Sequence, residues 1–389
     1  MDKRNNSFIL ILTIGVFGIL NTEMGIVGIL PLLADHFQVS ISIAGLLVSL
    51  FALAVAISGP TFPLLFSGIN RKKVMLLVLG VFILGNIVSI FASNFTIALI
   101  ARVIPAFLHP VYISIALTVA ASSVSKEEAP KAVSKVMMGV SAGMVLGVPI
   151  TSFIGNATSI EMAMLFFAIV NAIAFISTLL FVPSMPVEEK LSYGSQLSVL
   201  KKSITWLSIA TVLFINAAIY GVNSYLAEYL ETITNISGKN ISLMLFIFGG
   251  ASIVGNIVAG KLLTKNALKS VVTYPFALGT VYILLFLVGQ FTVPMALILL
   301  VFGIVVAIGN NICQYWITSA APEAPEFSNG LFLASGNLGV TIGTSVGGLF
   351  ISGFGVQYIV LGGLLFLILS LTFILLRNYV YKSKNKLYS

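Results

Sequence analysis

Long apolar runs separated by short polar connections make up the chain from end to end. Runs long enough to cross a bilayer fall at about 8–33, 41–66, 74–92, 96–122, 132–155, 162–183, 204–227, 242–263, 270–290, 292–320, 328–353 and 356–376. The first, Phe8 to Leu33, reaches roughly 39 Å at about 1.5 Å per residue, against a hydrocarbon core of about 30 Å. It is longer than the roughly 7–15 apolar residues of a signal peptide and no small-x-small cleavage site follows it, so it reads as a retained first span. Lipid offers the backbone no hydrogen-bond partners, so runs this apolar are helices, and the alternation that marks barrel strands is missing. The pattern predicts an all-α membrane protein with twelve transmembrane helices.

The longest polar connection, Ser184 to Ser203, follows the sixth run and divides the twelve into six and six. This predicts a first bundle at 1–183, a cytoplasmic linker at 184–203 and a second bundle at 204–389 with a short basic tail. Spans five and eleven echo each other, with Gly139, Gly143 and Gly147 in one and Gly339, Gly343 and Gly347 in the other. Residues four apart share a helix face, so each run is a flat stripe that lets a neighbouring helix approach closely. Spans two and eight correspond as well, ending in Gly59 with Arg71-Lys72-Lys73 and in Gly255 with Lys261 and Lys265. Offsets of 196 to 200 residues point to two pseudo-symmetric halves, the design of many secondary carriers, whose substrate sites lie at the midplane between repeats.

Composition agrees with the pattern. Of 389 residues, 58% are hydrophobic and 8% charged, whereas soluble domains run near 45–50% and about 25%. The net charge of +8 does not call for a nucleic-acid partner, because the basic residues lie between apolar runs. With the N-terminus inside, the cytoplasmic segments hold Lys3, Arg4, Arg71, Lys72, Lys73, Lys126, Lys131, Lys135, Lys190, Lys201, Lys202, Lys261, Lys265, Lys269, Arg377, Lys382, Lys384 and Lys386, which is 18 of the twenty basic residues. Basic loops are retained inside, so both termini are expected in the cytoplasm of a cell-membrane protein. One inner loop, around Glu323 and Glu326, lacks a basic residue.

Several chemistries are excluded. Cys313 is the only cysteine and no Cys/His cluster has metal-ligand spacing, so neither disulfide, metal nor other cofactor is expected. Gly139-Val140-Ser141-Ala142-Gly143 matches a hydrolase nucleophile elbow, but it sits mid-helix rather than between a strand and a helix. Two histidines and one cysteine supply no nucleophile-base pair, so an enzyme is not expected, and the loops are too short for the output domain of a sensor. Asn94, Asn156, Asn235 and Asn240 begin N-x-S/T sequons in or beside outer loops, which agrees with the topology and carries no function.

Ionisable groups inside spans carry the most information, since each costs about 2.5–3.5 kcal/mol even on lenient insertion scales. Glu23 and Arg102 qualify. Counted from the outer ends they lie roughly 15 Å and 9 Å deep, close enough in height to pair if their helices touch. A carboxylate in a cavity switches its protonation with its surroundings, the property a proton-coupled carrier needs. A permanent ion pair that fixes packing is the bland alternative, and for Arg102 so is the satisfaction of backbone carbonyls. His109, seven residues after Arg102 and followed by Pro110 and Tyr112, suits a proton relay near neutral pH or plain packing. His36 beside Asp35, Glu228 and Glu231 lie at outer helix ends and read as solvated. Asn216, Tyr220 and Asn223 on the seventh span, and Asn310 and Gln314 on the tenth, form polar stripes. These face protein or water, either bonding helices together or lining a substrate path.

The chain resembles the major facilitator superfamily, and within it the twelve-span drug:proton antiporter branch that includes sugar and purine efflux proteins. The resemblance runs through Thr22-Glu23-Met24 to Gly28-Ile29-Leu30-Pro31, Val39-Ser40 and Ala44-Gly45. Arg102 matches the family's motif B arginine. Gly143-Met144-Val145-Leu146-Gly147-Val148-Pro149 resembles the antiporter motif C, with Gly143, Gly147 and Pro149 as its markers, and Asn337-Leu338-Gly339 with Gly343 and Gly347-Gly348 resembles the eleventh span. Departures are Ser67 in place of the motif A acid ahead of Asn70, Arg71 and Lys72, Val148 between glycine and proline, and Thr151-Ser152 for the last glycines.

The resemblance implies a proton-coupled antiporter that exports small organic molecules, drug or metabolite, by alternating access in the bilayer, as a monomer. Glu23, Arg102 and His109 are the expected proton-coupling residues. Asn21, Tyr112, Asn216, Tyr220, Asn223, Asn310 and Gln314 are expected at substrate, and Arg71 and Lys72 at an inner gate. The alternative is an uncoupled or importing carrier for sugar, nucleobase or nucleoside.

Overall fold

The structure, a computed structural model, describes residues 3–39, 41–187, 193–236 and 239–387. Ser40, Lys190 and part of the 184–203 connection lie outside the described residues, as do the side chains of Lys3, Arg4, Pro31, Lys239, Lys382, Lys384 and Lys386. The chain divides into two compact units, Met1–Tyr193 and Gly194–Ser389. Both are helical, and no strand occurs among the described residues.

In the first unit, α1 (Lys3–Gly25) passes through a 3-10 turn at Ile26–Ile29 into α2 (Leu30–His36). Gly25 and Gly28 weaken the helix there, and Pro31 in the first turn of α2 has no N–H to continue the ladder. The second crossing is in three pieces, α3 (Ile41–Ala44), α4 (Leu46–Ser58) and α5 (Phe62–Phe66), cut at Gly45 and at Gly59-Pro60. Four long helices follow: α6 (Arg71–Ile90), α7 (Phe95–Ser122), α8 (Ala129–Ala157) and α9 (Ile160–Phe181). Asn70, Asn94 and Ser159 cap α6, α7 and α9 by accepting the backbone N–H three residues on, at 3.4, 3.0 and 3.3 Å.

In the second unit, after short α10 (Tyr193–Leu197), come α11 (Ser203–Asn223), α12 (Leu226–Thr232), α13 (Lys239–Val288), α14 (Thr292–Thr318), α15 (Pro325–Phe354) and α16 (Ile359–Leu387). The eighth and ninth runs, separate in the sequence pattern, join in α13, which turns at one non-helical residue, Asn266 (φ −160°, ψ 89°). No loop is needed because side chains close the turn. Asn266 accepts from the Lys269 N–H at 2.9 Å and the Ser270 hydroxyl donates to the Leu262 carbonyl at 3.2 Å. Ten helices among the described residues are long and apolar enough to cross a membrane. One of them holds two crossings at the Asn266 turn, and the pieces of the second run supply the remaining one, so the expected twelve are present.

Without a hydrophobic drive between helices, close approach decides packing, and the glycine stripes provide it in each unit. A Cβ on Gly139 would overlap the Thr13 carbonyl oxygen, and one on Gly143 would stand 2.6 Å from Leu20 Cβ, so α8 lies directly on α1. A Cβ on Gly339 or Gly343 would overlap the carbonyl oxygens of Leu213 and Ala217, and on Gly347 it would be 2.5 Å from that of Gly221, so α15 lies on α11 in the same way. The outer faces, such as Leu84, Ile104 and Ile173, stay apolar and exposed, as lipid requires.

Gly343→Ala is expected to lower the thermal midpoint in detergent by several degrees, since overpacking against a fixed carbonyl costs about 1–3 kcal/mol. Gly250, with nothing within 4 Å of its missing Cβ, is the control, and Gly250→Ala should leave the midpoint unchanged or raise it. Equal shifts in the two melts would show that the stripe does not hold α15 to α11.

Candidate functional site

The interruption of α1 generates the site. A helix that stops inside a span leaves its last carbonyls without partners, and Arg102 of α7 supplies them. Its Nη1 donates to the Thr22 carbonyl at 3.0 Å, Nη2 to the Glu23 carbonyl at 2.7 Å, and Nε to the Leu47 carbonyl of α4 at 2.7 Å. The cation also sits favourably at the negative end of the α1 dipole. Its carbon Cζ lies 5.0 Å above the Phe51 ring, and Arg102 is 7% exposed.

Arg102 therefore meets Glu23 through the main chain. The Glu23 carboxylate turns instead to His109, two turns along α7, with Oε2 3.1 Å from Nε2 and the two side chains 15% and 5% exposed. At that distance they are an ion pair if the ring is charged, yet the ring N–H does not point along the contact, and both His109 nitrogens lack a hydrogen-bond partner. Phe51 packs edge-on against His109 at 6.1 Å between ring centres. The imidazole and the guanidinium thus both pack on the Phe51 ring, and the guanidinium's hydrogen bonds all go to carbonyls.

A neutral network stands behind the clamp. The Asn171 amide of α9 donates to the Thr22 hydroxyl at 2.8 Å, the Gly18 carbonyl at 3.3 Å and its own Phe167 carbonyl at 2.9 Å. Asn86 of α6 donates to the same hydroxyl at 3.5 Å. A cavity of about 20 Å³ beside it, about the room one water needs, is lined by Thr22, Asn86, Ser89 and Arg102 among mostly apolar side chains such as Leu47 and Phe82. Asn86, Asn171 and Phe51 are absent from the sequence reading. The two amides stand alone on their helices, and the rule that polar groups in spans face protein or water applies to them equally.

Other expected residues fall elsewhere. Asn21 is fully buried against Gly147 of α8 and neither amide atom has a partner. The Tyr112 hydroxyl lies against Gly15 and beside Thr178. Pro149 lies within α8. At the expected inner gate, Lys72 donates to the Leu179 carbonyl in the last turn of α9 at 2.9 Å, and the Arg71 N–H donates to the Met185 carbonyl. In the second unit, Asn216 donates to the Val212 carbonyl at 2.9 Å and approaches Cys313 Sγ at 3.6 Å. Gln314 donates to Asn329 at 2.8 Å, and Asn311 to Asn256 at 2.6 Å. Tyr220, Asn223 and Asn310 are half-buried. Arg377, counted in the basic tail, is buried, and it clamps the end of α14 through the Trp316 carbonyl at 2.5 Å and the Ser319 hydroxyl at 2.9 Å. Glu323 of the loop that lacks basic residues pairs with Lys202.

Comparison with known proteins agrees on the family. The sequence matches the Major Facilitator Superfamily over residues 12–326 and, overlapping these, 209–387. It is 31% identical over 379 residues to the uncharacterized MFS-type transporter YtbD of Bacillus subtilis, covering 94% of this chain and 93% of that one. It is 26% identical over 352 residues to the inner membrane transport protein YdhP of Escherichia coli, covering 90% of each. The fold is similar to that of the human organic anion transporter MFSD10 (TM-score 0.77, 16% identity, 96% of this chain and 100% of that one). It is similar also to the transporter FucP in its outward conformation (TM-score 0.78, 15% identity, 96% and 99%).

Arg102→Lys keeps the charge, but one ammonium on a shorter reach cannot serve three carbonyls from two helices. The variant is expected to lose about 1–3 kcal/mol, the cost of leaving a buried acceptor unmet, seen as a lower melting midpoint of the purified protein. An unchanged midpoint would show that charge alone matters at this position.

Proposed function

The chain belongs to the Major Facilitator Superfamily and is an integral membrane transporter, not an enzyme, and from that premise we propose that it exchanges protons for small organic molecules, exporting them by alternating access. The observation that carries the reading is the Glu23–His109 contact, a buried carboxylate and imidazole 3.1 Å apart. A carried proton needs an acid and an acceptor inside the span, and these two groups supply them. Arg102, tied to three carbonyls, tunes the carboxylate from a fixed position.

The reading places both termini and the 184–203 linker in the cytoplasm, following the positive-inside distribution. Of the expected substrate residues, Tyr220, Asn223 and Asn310 are half-buried and suit the substrate path, whereas Asn21 and Tyr112 are packed within the first unit and Asn216 and Gln314 are bonded within the second, and Arg71 and Lys72 hold the inner end of the first. Such groups suit a nucleobase, nucleoside or sugar as well as a drug. Gly143, Gly147 and Pro149 mark the helix contact that moves during exchange.

The test is proteoliposomes containing the full chain and a luminal pH dye, with no imposed gradient, screened with cationic drugs, nucleosides, nucleobases and sugars. External substrate moving inward drives protons out, so the lumen is expected to turn alkaline. Glu23→Gln should cut this signal at least about tenfold, while substrate still binds. Substrate flux without proton movement, or normal coupling in the variant, overturns the antiporter reading.

A further inference from the structure

Where α13 turns at Asn266, the second unit has a groove of about 420 Å³ whose lining changes character along its length. Lys265, Asn266 and Lys269 stand at one end, Ser270, Thr273 and Tyr274 continue along α13, and Leu262, Ala277, Val305 and Ile308 supply the apolar surface. Both lysines are exposed, and neither has an ion-pair partner among the described residues. Lys261 lies one helical turn before Lys265, and no acidic residue occurs between Glu231 and Glu323. The basic cluster is thus left without an internal counter-charge at the end of two membrane crossings, while most of the groove's surface beside it is apolar.

We propose that this groove binds an anionic phospholipid, its headgroup phosphate held by Lys265 and Lys269 and its upper acyl chain laid along Ala277 and Ile308. A basic rim attracts the phosphate, with each lysine near an anionic surface adding appreciably to the affinity. The apolar length is what commits the site to a lipid, because a free anion gains nothing from it. The lysines act as point charges on flexible stems, which suits a mobile headgroup better than a rigid one.

Native mass spectrometry of the purified full chain, titrated with phosphatidylglycerol or phosphatidylcholine, tests this. One phosphatidylglycerol is expected to bind about tenfold more tightly than phosphatidylcholine. Lys265→Gln/Lys269→Gln should reduce the preference to within about twofold, while the charge-matched Lys126→Gln/Lys131→Gln in the first unit keeps it. Ala277→Trp, which fills the apolar part and leaves both lysines, should also abolish lipid binding. The proposal is overturned if the lysine pair can be replaced without effect, if both lysine pairs lower the preference equally, or if millimolar inorganic phosphate displaces the lipid while Ala277→Trp does not.

Discussion

A backbone carbonyl inside a bilayer must be bonded within the protein, and the helix end at Gly25 puts that requirement in the middle of the first crossing. Arg102 meets it with one planar group that reaches α1 and α4 together. Only a guanidinium offers several donors in a rigid fork while staying charged in such a place. The clamp joins α1, α4 and α7, and so sets where Glu23 and His109 stand. Basic side chains serve helix ends elsewhere too, Lys72 at the end of α9 and Arg377 at the end of α14. In all three the cation is at the negative pole of a helix, where about 0.3–1 kcal/mol of dipole interaction adds to the hydrogen bond.

Close packing supplies what the clamp does not. Lipid competes equally for apolar surface, so helices are held where backbones come into direct contact. The glycine faces of α8 and α15 do this against α1 and α11, one contact in each unit. Gly28 extends the first of them, since a Cβ there would overlap the Val148 carbonyl. Gly85 rests similarly on the Ala101 carbonyl, which Pro105 deprives of its helical donor. Asn21 lies at such a contact, its amide against Gly147 and without a hydrogen-bond partner in the protein.

The twelve crossings were legible because hydropathy in a bilayer obeys one strong rule, and the glycine periodicity marked the faces of α8 and α15 that a neighbour approaches closely, though not which neighbour. The break at Gly45 inside the second run was not visible, whereas the eighth and ninth runs stood apart around Asn266 through the polar stretch that holds Lys265 and Lys269. Glu23 and Arg102 stood out by charge. Their partners did not, because counting residues along a helix gives height and not azimuth. The bland alternative for Arg102, satisfaction of backbone carbonyls, describes its contacts, whereas Glu23 faces the histidine that spacing had placed on the same face as Arg102. Asn86 and Asn171 went unmarked because a lone neutral amide has no periodic partner on its own helix, and an aromatic such as Phe51 is indistinguishable from core in an apolar run.

Separating the fixed cation from the titratable pair has a physical consequence. Had the Arg102 guanidinium bonded the Glu23 carboxylate directly, the two would form a buried ion pair that fixes packing and leaves no acid for His109. With the guanidinium spent on carbonyls and packed on Phe51, the cation acts on the carboxylate only through space. The imidazole instead meets the carboxylate at 3.1 Å. The carbonyl clamp that holds the broken helix together is therefore also what leaves the Glu23 carboxylate free to face His109.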